Sequence, residues 1–251
     1  LFGMGTYGSR SLAVGGTAII KAVDKIIAKG KKIAAHLMEA ADSDVIYEGG
    51  QFKVAGTDKA VPFAAVSLTA YVPHNFPHDK LEPGLNENAF YDPSNFTYPA
   101  GTYICEVEVD PATGKTRIDR MTACDDFGNV INPMIVEGQV HGGLAQGIGQ
   151  ALLEHGIYDT ETGQLLTGSF ADYAMPKAGW IKDITIAEHT TFGTISPLGV
   201  KGMGESGCTA SLATLTNAVM NALRPLGVPP LDMPLTAHKL WQAISAAKKG
   251  K

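Results

Sequence analysis

The chain has 251 residues and a formal net charge of −5, enough for one large or two small domains with a proper core. Its only basic runs are Lys29–Lys32 and the tail Lys248–Lys251, read as a solvated end, so nucleic acid is excluded as a natural partner. Hydrophobic residues make up 45%, but no apolar run nears the roughly 20 residues of a membrane helix. The expectation is a cytoplasmic chain with no membrane span. It opens at Leu1 inside a glycine motif, which reads as a fragment, or as a processed or separately encoded subunit, with an upstream partner.

From Gly15 to about Ala41 the chain reads as a long helix, with Ile19, Val23, Ile26, Ile27, Ile33 and Leu37 along one face and Gly30 as a weak point. Val45–Val54, around Glu48-Gly49-Gly50, is predicted to be a short hairpin, and Val61–Tyr71 a short helix. Val72–Pro99, rich in Pro, Asn, Phe and Tyr, is predicted to be a long surface or partner-contacting loop. Tyr103–Asp110 alternates and is β-branched, Pro111-Ala-Thr-Gly114 makes a turn, and Lys115–Cys124 pairs back as an antiparallel strand.

Asn132-Pro133 ends that hairpin. Pro133–His155 then reads as a helix with Ile135, Val136, Val140, Leu144, Ile148, Leu152 and Leu153 on one buried face. Gly138, Gly142, Gly143, Gly147 and Gly149 each cost about 0.5–1 kcal/mol in a helix relative to Ala. Such a concentration implies that another backbone or a large cofactor lies close, and a tight helix pair would account for it equally well. A strand is expected at Ile181–Glu188. No repeat or heptad array is visible, and the mixed pattern predicts an α+β fold of helices and antiparallel hairpins.

Gly199-Val-Lys-Gly-Met-Gly-Glu-Ser206 places one carboxylate, Glu205, among glycines just ahead of a helix that runs through Leu212, Leu215 and Val219 to Leu223, with Ser206 or Thr209 as its cap. A solvated acid helping the helix dipole is the bland reading of Glu205. A catalytic base carried close to a bound group is the sharp one. Cys105, Cys124 and Cys208 form no C-x-x-C pair, so neither an iron–sulfur cluster nor a structural zinc site is readable and no side chain is assigned to a metal. Cys208 and His141 read as packed neighbours.

Cys124-Asp-Asp-Phe-Gly-Asn-Val-Ile-Asn-Pro133, continuing through Glu137-Gly-Gln-Val-His-Gly-Gly143, together with Gly5-Thr-Tyr-Gly-Ser-Arg-Ser11 and Gly202-Met-Gly-Glu-Ser206, resembles the molybdopterin-binding large subunit of the xanthine dehydrogenase family, the molybdenum hydroxylases. Further matches run through Glu106-Val-Glu-Val-Asp-Pro-Ala-Thr-Gly114, Asp172-Tyr-Ala-Met-Pro176 and Met233-Pro-Leu-Thr-Ala-His-Lys-Leu-Trp-Gln-Ala-Ile244. Several ordered motifs in agreement are more specific than any one glycine loop. The resemblance implies the C-terminal portion of such a subunit, with one molybdopterin-binding subdomain portion at 1–100 and a second at 101–251.

By this resemblance Glu205 is the catalytic base, taking the proton of a metal-bound hydroxyl as that oxygen attacks an electron-poor carbon and hydride passes to a sulfido ligand. Gln139 would contact the cofactor, molybdopterin cytosine dinucleotide. Gly8, Ser9, Arg10 and Ser11 would take its phosphates, where Ser9 or Ser11 alone would read as a helix cap, and Gly202 and Gly204 would bring the loop close; Lys201 reads as orienting that loop or equally as solvated. A base in this role should also be partly shielded from water. The implied activity is oxidation of an aldehyde or N-heterocycle, with iron–sulfur and FAD subunits as partners. A carbon monoxide dehydrogenase-type large chain and a catalytically silent assembly module are the alternatives.

Overall fold

The computed structural model describes residues 3–72, 74–180 and 183–250. Two compact units share the chain, Val14–Pro93 in one and Leu1–Ala13 with Ser94–Lys251 in the other. The first thirteen residues therefore group with the distant C-terminal part, whereas the sequence suggested a single cut near residue 100.

In the unit 14–93, a π-helical turn at Leu12–Gly16 leads into helix α1, Thr17–Met38. Glu39, at φ 52°, ends it in the left-handed conformation, which accounts for a helix shorter than the expected 15–41. Strands β1, Val45–Glu48, and β2, Gln51–Val54, form the expected hairpin, and the short β3, Ala60–Pro62, pairs antiparallel with β2. Helix α2, Phe63–Tyr71, follows directly. Ile33, Ala34, Ala35 and Met38 of α1 pack with Val45, Phe52, Val66 and Ala70 in one core.

Gly30 serves packing, because a Cβ there would lie 2.5 Å from the Phe52 ring. Ile19 and Val23, read on one apolar face of α1 with Ile33, are exposed, whereas Ile33 is fully buried. Of the stretch predicted as a surface loop, Pro73 lies outside the described residues and the rest is irregular as expected, but Phe76 and Leu85 turn into the core of this unit.

The larger unit is built on a three-stranded sheet in the order β4–β5–β6. Strand β4, Ala100–Val109, and strand β5, Thr116–Asp126, form a long antiparallel hairpin whose register shifts between Glu106 and Val107. Strand β6, Ile184–Glu188, runs parallel to β5 beside the antiparallel β4–β5 hairpin, an orientation the sequence left open. Ile181 and Lys182, included in that expected strand, lie outside the described residues.

Helix α3, Pro133–Leu152, starts on the Asn132 side chain, which accepts from the Ile135 N–H, with proline in the first turn where no donor is lost. Helix α4, Ser206–Leu223, lies against it, and α5, Ala237–Lys249, closes the unit with Thr236 as its cap. Lys248 and Lys249 of the basic tail thus belong to α5, Lys251 lies outside the described residues, and Leu240 and Ile244 of α5 are fully buried.

Glycines set the approach of α3 to α4. A Cβ on Gly143 would sit 2.8 Å from the backbone N of Cys208, one on Gly207 would sit 3.0 Å from Gly143 Cα, and Gly147 faces Ser211 with no room for a side chain. These positions meet the helix-pair reading. Gly138 and Gly142 do not, because a Cβ at either would meet nothing within 4 Å. Two glycine stripes thus share one helix, one packed and one bare.

Candidate functional site

The close helix pair brings the start of α4 to the surface beside the turn at residues 5–11. Gly8 and Ser9 both take left-handed backbone there, at φ 58° and 56°. For a serine this is a strained choice that surrounding contacts must hold. Those contacts come from Glu205. The Ser9 hydroxyl donates to Glu205 Oε2 at 2.7 Å and accepts from the Glu205 backbone N–H at 3.0 Å.

Glu205 is itself the residue that caps α4, at φ −107° and ψ −3°, while Ser206, expected as the cap, is the first helical residue. The Glu205 carbonyl accepts from the Cys208 and Thr209 N–H groups and the Thr209 hydroxyl. Its carboxylate therefore does not fold back onto the helix N–H groups as a simple dipole-stabilising acid would.

Gly8, Ser9, Gly202 and Glu205 line a cleft of about 420 Å³ together with Thr97–Gly101, Tyr103 and Asp125. Gly202 donates its N–H to the Thr97 hydroxyl at 3.0 Å, and a Cβ there would lie 2.8 Å from the Ser9 carbonyl. Gln139 comes in from α3, since a Cβ on Gly204 would be 3.9 Å from its carboxamide oxygen. Arg10 and Ser11 are not in the cleft wall. Arg10 stacks on Tyr7 and donates to its hydroxyl, and Ser11 donates to Thr6.

The expectation that the base is partly shielded from water is not met by this chain's own residues, because Glu205 is exposed. The shielded acid of the cleft is Asp125, 4% exposed. Burial pushes its carboxyl above the usual range and the neighbouring charge of Glu188 adds to this, against the Tyr103 hydroxyl that donates to it at 3.0 Å. Burial and the Asp125 charge in turn raise the Tyr103 phenol.

Beside the cleft, Asp126 at the end of β5 accepts from Lys201 Nζ at 2.6 Å, from the Gly128 and Thr191 N–H groups at 3.0 and 3.1 Å, and from the Thr191 hydroxyl. Burial works to raise this carboxyl, but the Lys201, Thr191 and Gly128 donors outweigh it and hold the group well below the usual carboxylate range.

The sequence missed Thr97–Gly101, Tyr103 and Asp125. The adjacent acids Asp125 and Asp126, in a strand that otherwise alternates, were the available signal. Only the pairing of β4 with β5 shows that Asp125 lies against Gly101, which has no room for a side chain.

A flat, hydrogen-bonding cofactor fits these residues. The bare Gly138–Gly142 stripe leaves backbone open beside Gln139, and the cleft offers hydroxyls and glycine backbone. The chain belongs to the molybdopterin cofactor-binding domain family, whose profile matches residues 1–182. Among individual relatives, the carbon monoxide dehydrogenase large chain of Hydrogenophaga pseudoflava is 43% identical over 97% of this chain, and the nicotine 6-hydroxylase large subunit of Paenarthrobacter nicotinovorans is 35% identical over 96%. The chain spans only 30% of either relative's length.

Among solved structures, a reconstituted CO dehydrogenase from Oligotropha carboxidovorans superposes with a TM-score of 0.90 at 37% identity, covering 100% of this chain and 31% of that one. Quinoline 2-oxidoreductase from Pseudomonas putida 86 gives 0.87 at 39% identity, covering 97% and 31%. The α+β fold is therefore that of the large subunits of molybdenum-containing oxidoreductases. Among the described residues, no helix is long and apolar enough to cross a membrane.

Proposed function

We propose that this chain is the C-terminal, cofactor-binding part of the large subunit of a cytoplasmic molybdenum hydroxylase, which oxidises an aldehyde or N-heterocycle with water as the oxygen source. The observation that carries the reading is the reciprocal Ser9–Glu205 hydrogen-bonded pair, which unites two family-like motifs 196 positions apart.

In this reading Glu205 is the base. Ser9 engages one carboxylate oxygen and fixes the side chain's direction, and the other oxygen accepts the proton released as the new C–O bond forms. Gly202 and Gly204 let the loop approach the bound group without side-chain interference. Gln139 binds the cofactor as a neutral amide that both donates and accepts. When bound, the molybdenum cofactor supplies a Lewis acid and a two-electron sink.

Gly8, Ser9, Arg10 and Ser11 hold the pyrophosphate of a cytosine dinucleotide form, with Arg10 swinging off Tyr7 to reach it. The upstream part of the subunit and partner subunits carrying iron–sulfur centres and FAD complete the enzyme and shield Glu205 from water. Part of Val72–Pro99 serves as contact surface.

In the assembled complex, Glu205→Gln should lower turnover by about 10²–10⁴-fold, the usual contribution of a positioned base. Turnover near the wild-type rate would refute the assignment. Molybdenum and released cytidine nucleotide should both be stoichiometric with the chain.

A carbon monoxide dehydrogenase-type large chain is the second reading, favoured by the 43% identity to the Hydrogenophaga pseudoflava protein. Copper alongside molybdenum in the purified complex, with turnover of carbon monoxide, would select it.

A further inference from the structure

We propose that Lys201, clamped between Asp126 and Thr191, is a positioning residue for Glu205; the proposal rests on Glu205 being the base. Three glycine-bearing segments converge here. Beyond β5, the Asn129 N–H donates to the Gly199 carbonyl at 2.8 Å, the Lys201 N–H to the Phe127 carbonyl at 2.7 Å, and the Gly193 N–H to the same Gly199 carbonyl at 2.9 Å.

Gly193 is needed for this approach, since a Cβ there would fall 2.8 Å from the Val200 carbonyl oxygen. Without the Lys201 side chain, backbone bonds and the Asn129 side chain, which donates to the Leu198 carbonyl at 3.1 Å, hold these three short irregular segments, and their glycines add conformational freedom that must be restrained.

The Lys201 ammonium supplies that restraint. It donates to Asp126 Oδ2 at 2.6 Å and to the Thr191 hydroxyl at 2.8 Å, with both charged side chains nearly buried, 12% exposed for Lys201 and 14% for Asp126. Bonds to a charged partner at this depth are short and directional. Removing one member strands the other's charge, so the pair is held closed.

Only Gly202, Met203 and Gly204 separate this clamp from Glu205. Met203 packs on the core around Met121, Phe127 and Val140, and Gly202 is tied to Thr97. On the far side α4 is locked to α3 through Gly143, Gly147 and Gly207. Glu205 is thus anchored from the helix behind it and from the clamp four residues ahead of it. Without the Lys201 side chain the glycine-rich approach keeps its backbone bond to Phe127, the Gly202–Thr97 bond and the Met203 packing but loses its charged anchor, and small misplacements of a reacting group are costly in rate.

The test compares Lys201→Met and Glu205→Gln, singly and together, in the assembled enzyme, with kcat, KM, molybdenum content and amide exchange as readouts. Lys201→Met should lower kcat tenfold or more, leave KM within threefold and molybdenum content near wild type, and speed exchange at the Gly202 and Glu205 amides while the Leu240 amide in α5 is unchanged. Because Lys201 acts through Glu205, adding Lys201→Met to Glu205→Gln should cost little further.

An unchanged kcat, or the same loss in both backgrounds, would overturn the proposal. If Lys201→Met does not assemble, Thr191→Val, which keeps the ion pair and removes one of its anchors, should lower kcat at least twofold with the same exchange pattern, and wild-type behaviour of that variant would overturn it. A fully active Glu205→Gln enzyme would instead refute the base assignment, a result distinguishable because the exchange readout does not depend on turnover.

Discussion

Substituting alanine at neighbouring glycines of α3 should move stability in opposite directions. At Gly142 the added methyl meets open space, so only helix propensity changes and the chain gains about 0.5–1 kcal/mol. At Gly143 the same methyl would stand 2.8 Å from Cys208 N and Gly207 Cα and 2.9 Å from Gly207 C, all backbone atoms of α4.

Comfortable carbon contacts lie near 3.5–4.0 Å, so α4 must retreat by roughly 1 Å. Overpacking of this kind costs about 1–3 kcal/mol, and after the propensity gain the net loss is about 1–2 kcal/mol. Both tryptophans, Trp180 and Trp241, lie in the larger unit, so their fluorescence in a urea titration reports on the unit concerned. With a slope near 2 kcal/mol per molar, the midpoint should fall by about 0.5–1 M for Gly143→Ala and rise by about 0.2–0.5 M for Gly142→Ala. Equal midpoints, or a more stable Gly143→Ala, would refute the division of α3 into a packed and a bare stripe.

Ser9→Gly, which keeps the left-handed backbone and deletes both bonds to Glu205, should cut turnover of the assembled complex about tenfold while leaving the fold intact by circular dichroism; unaltered turnover would show that Ser9 does not orient the acid. Burial first, and then the Glu106 charge, push the Cys105 thiol up to about 11. Iodoacetamide at pH 9, followed by mass spectrometry, should therefore label it at least tenfold more slowly than a free thiol of ordinary pKa near 8.5. Because the folded state binds that proton more tightly, this contribution to stability is present below about pH 8.5 and is lost as pH rises through 11.

Asp126 has the opposite sign. Its depressed pKa favours the folded state above about pH 4, and that stabilisation is lost as pH falls towards the folded value. Asp126→Asn should cost about 3–5 kcal/mol at pH 7, and the gap to wild type should narrow in urea titrations below pH 4; a gap constant down to pH 2 would contradict the ion-pair account.

Elements written by local chemistry could be read before the structure. The 3.6-residue spacing in α1 and α3 and the alternation in β4 and β5 each reflect one segment's own apolar pattern. Strand β3 could not be read this way, because three residues carry no period and Val61 fitted the following helix equally well. Helix α5 is legible in the spacing of Leu240, Ile244 and Ala247 behind the cap Thr236.

The site divided along the same line. Glu205 and Gln139 stood out through the family pattern, and the structure bonds Glu205 to Ser9 and places Gln139 beside Gly204. Asp125, Ala100 and Gly101 enter the cleft through the pairing of β4 with β5 and Thr97 through its bond to Gly202, long-range facts that no local window contains. Ile19 and Val23 share an apolar face of α1 with the buried Ile33 yet are exposed, since an apolar face is buried only where something in the chain covers it.

The Ser9–Glu205 contact also has a timetable. Synthesis at about 5–20 residues per second puts roughly 10–40 s between the appearance of its two partners on the ribosome. During that interval the turn at residues 5–11 has no hydroxyl-to-carboxylate bond to hold Ser9 in its strained backbone, and the cleft has no floor. The smaller unit, complete by Pro93, can form its core in the meantime because its contacts are internal to 14–93. A cofactor that needs both walls of the cleft can therefore be held only once Glu205 has been made and α4 has packed on α3.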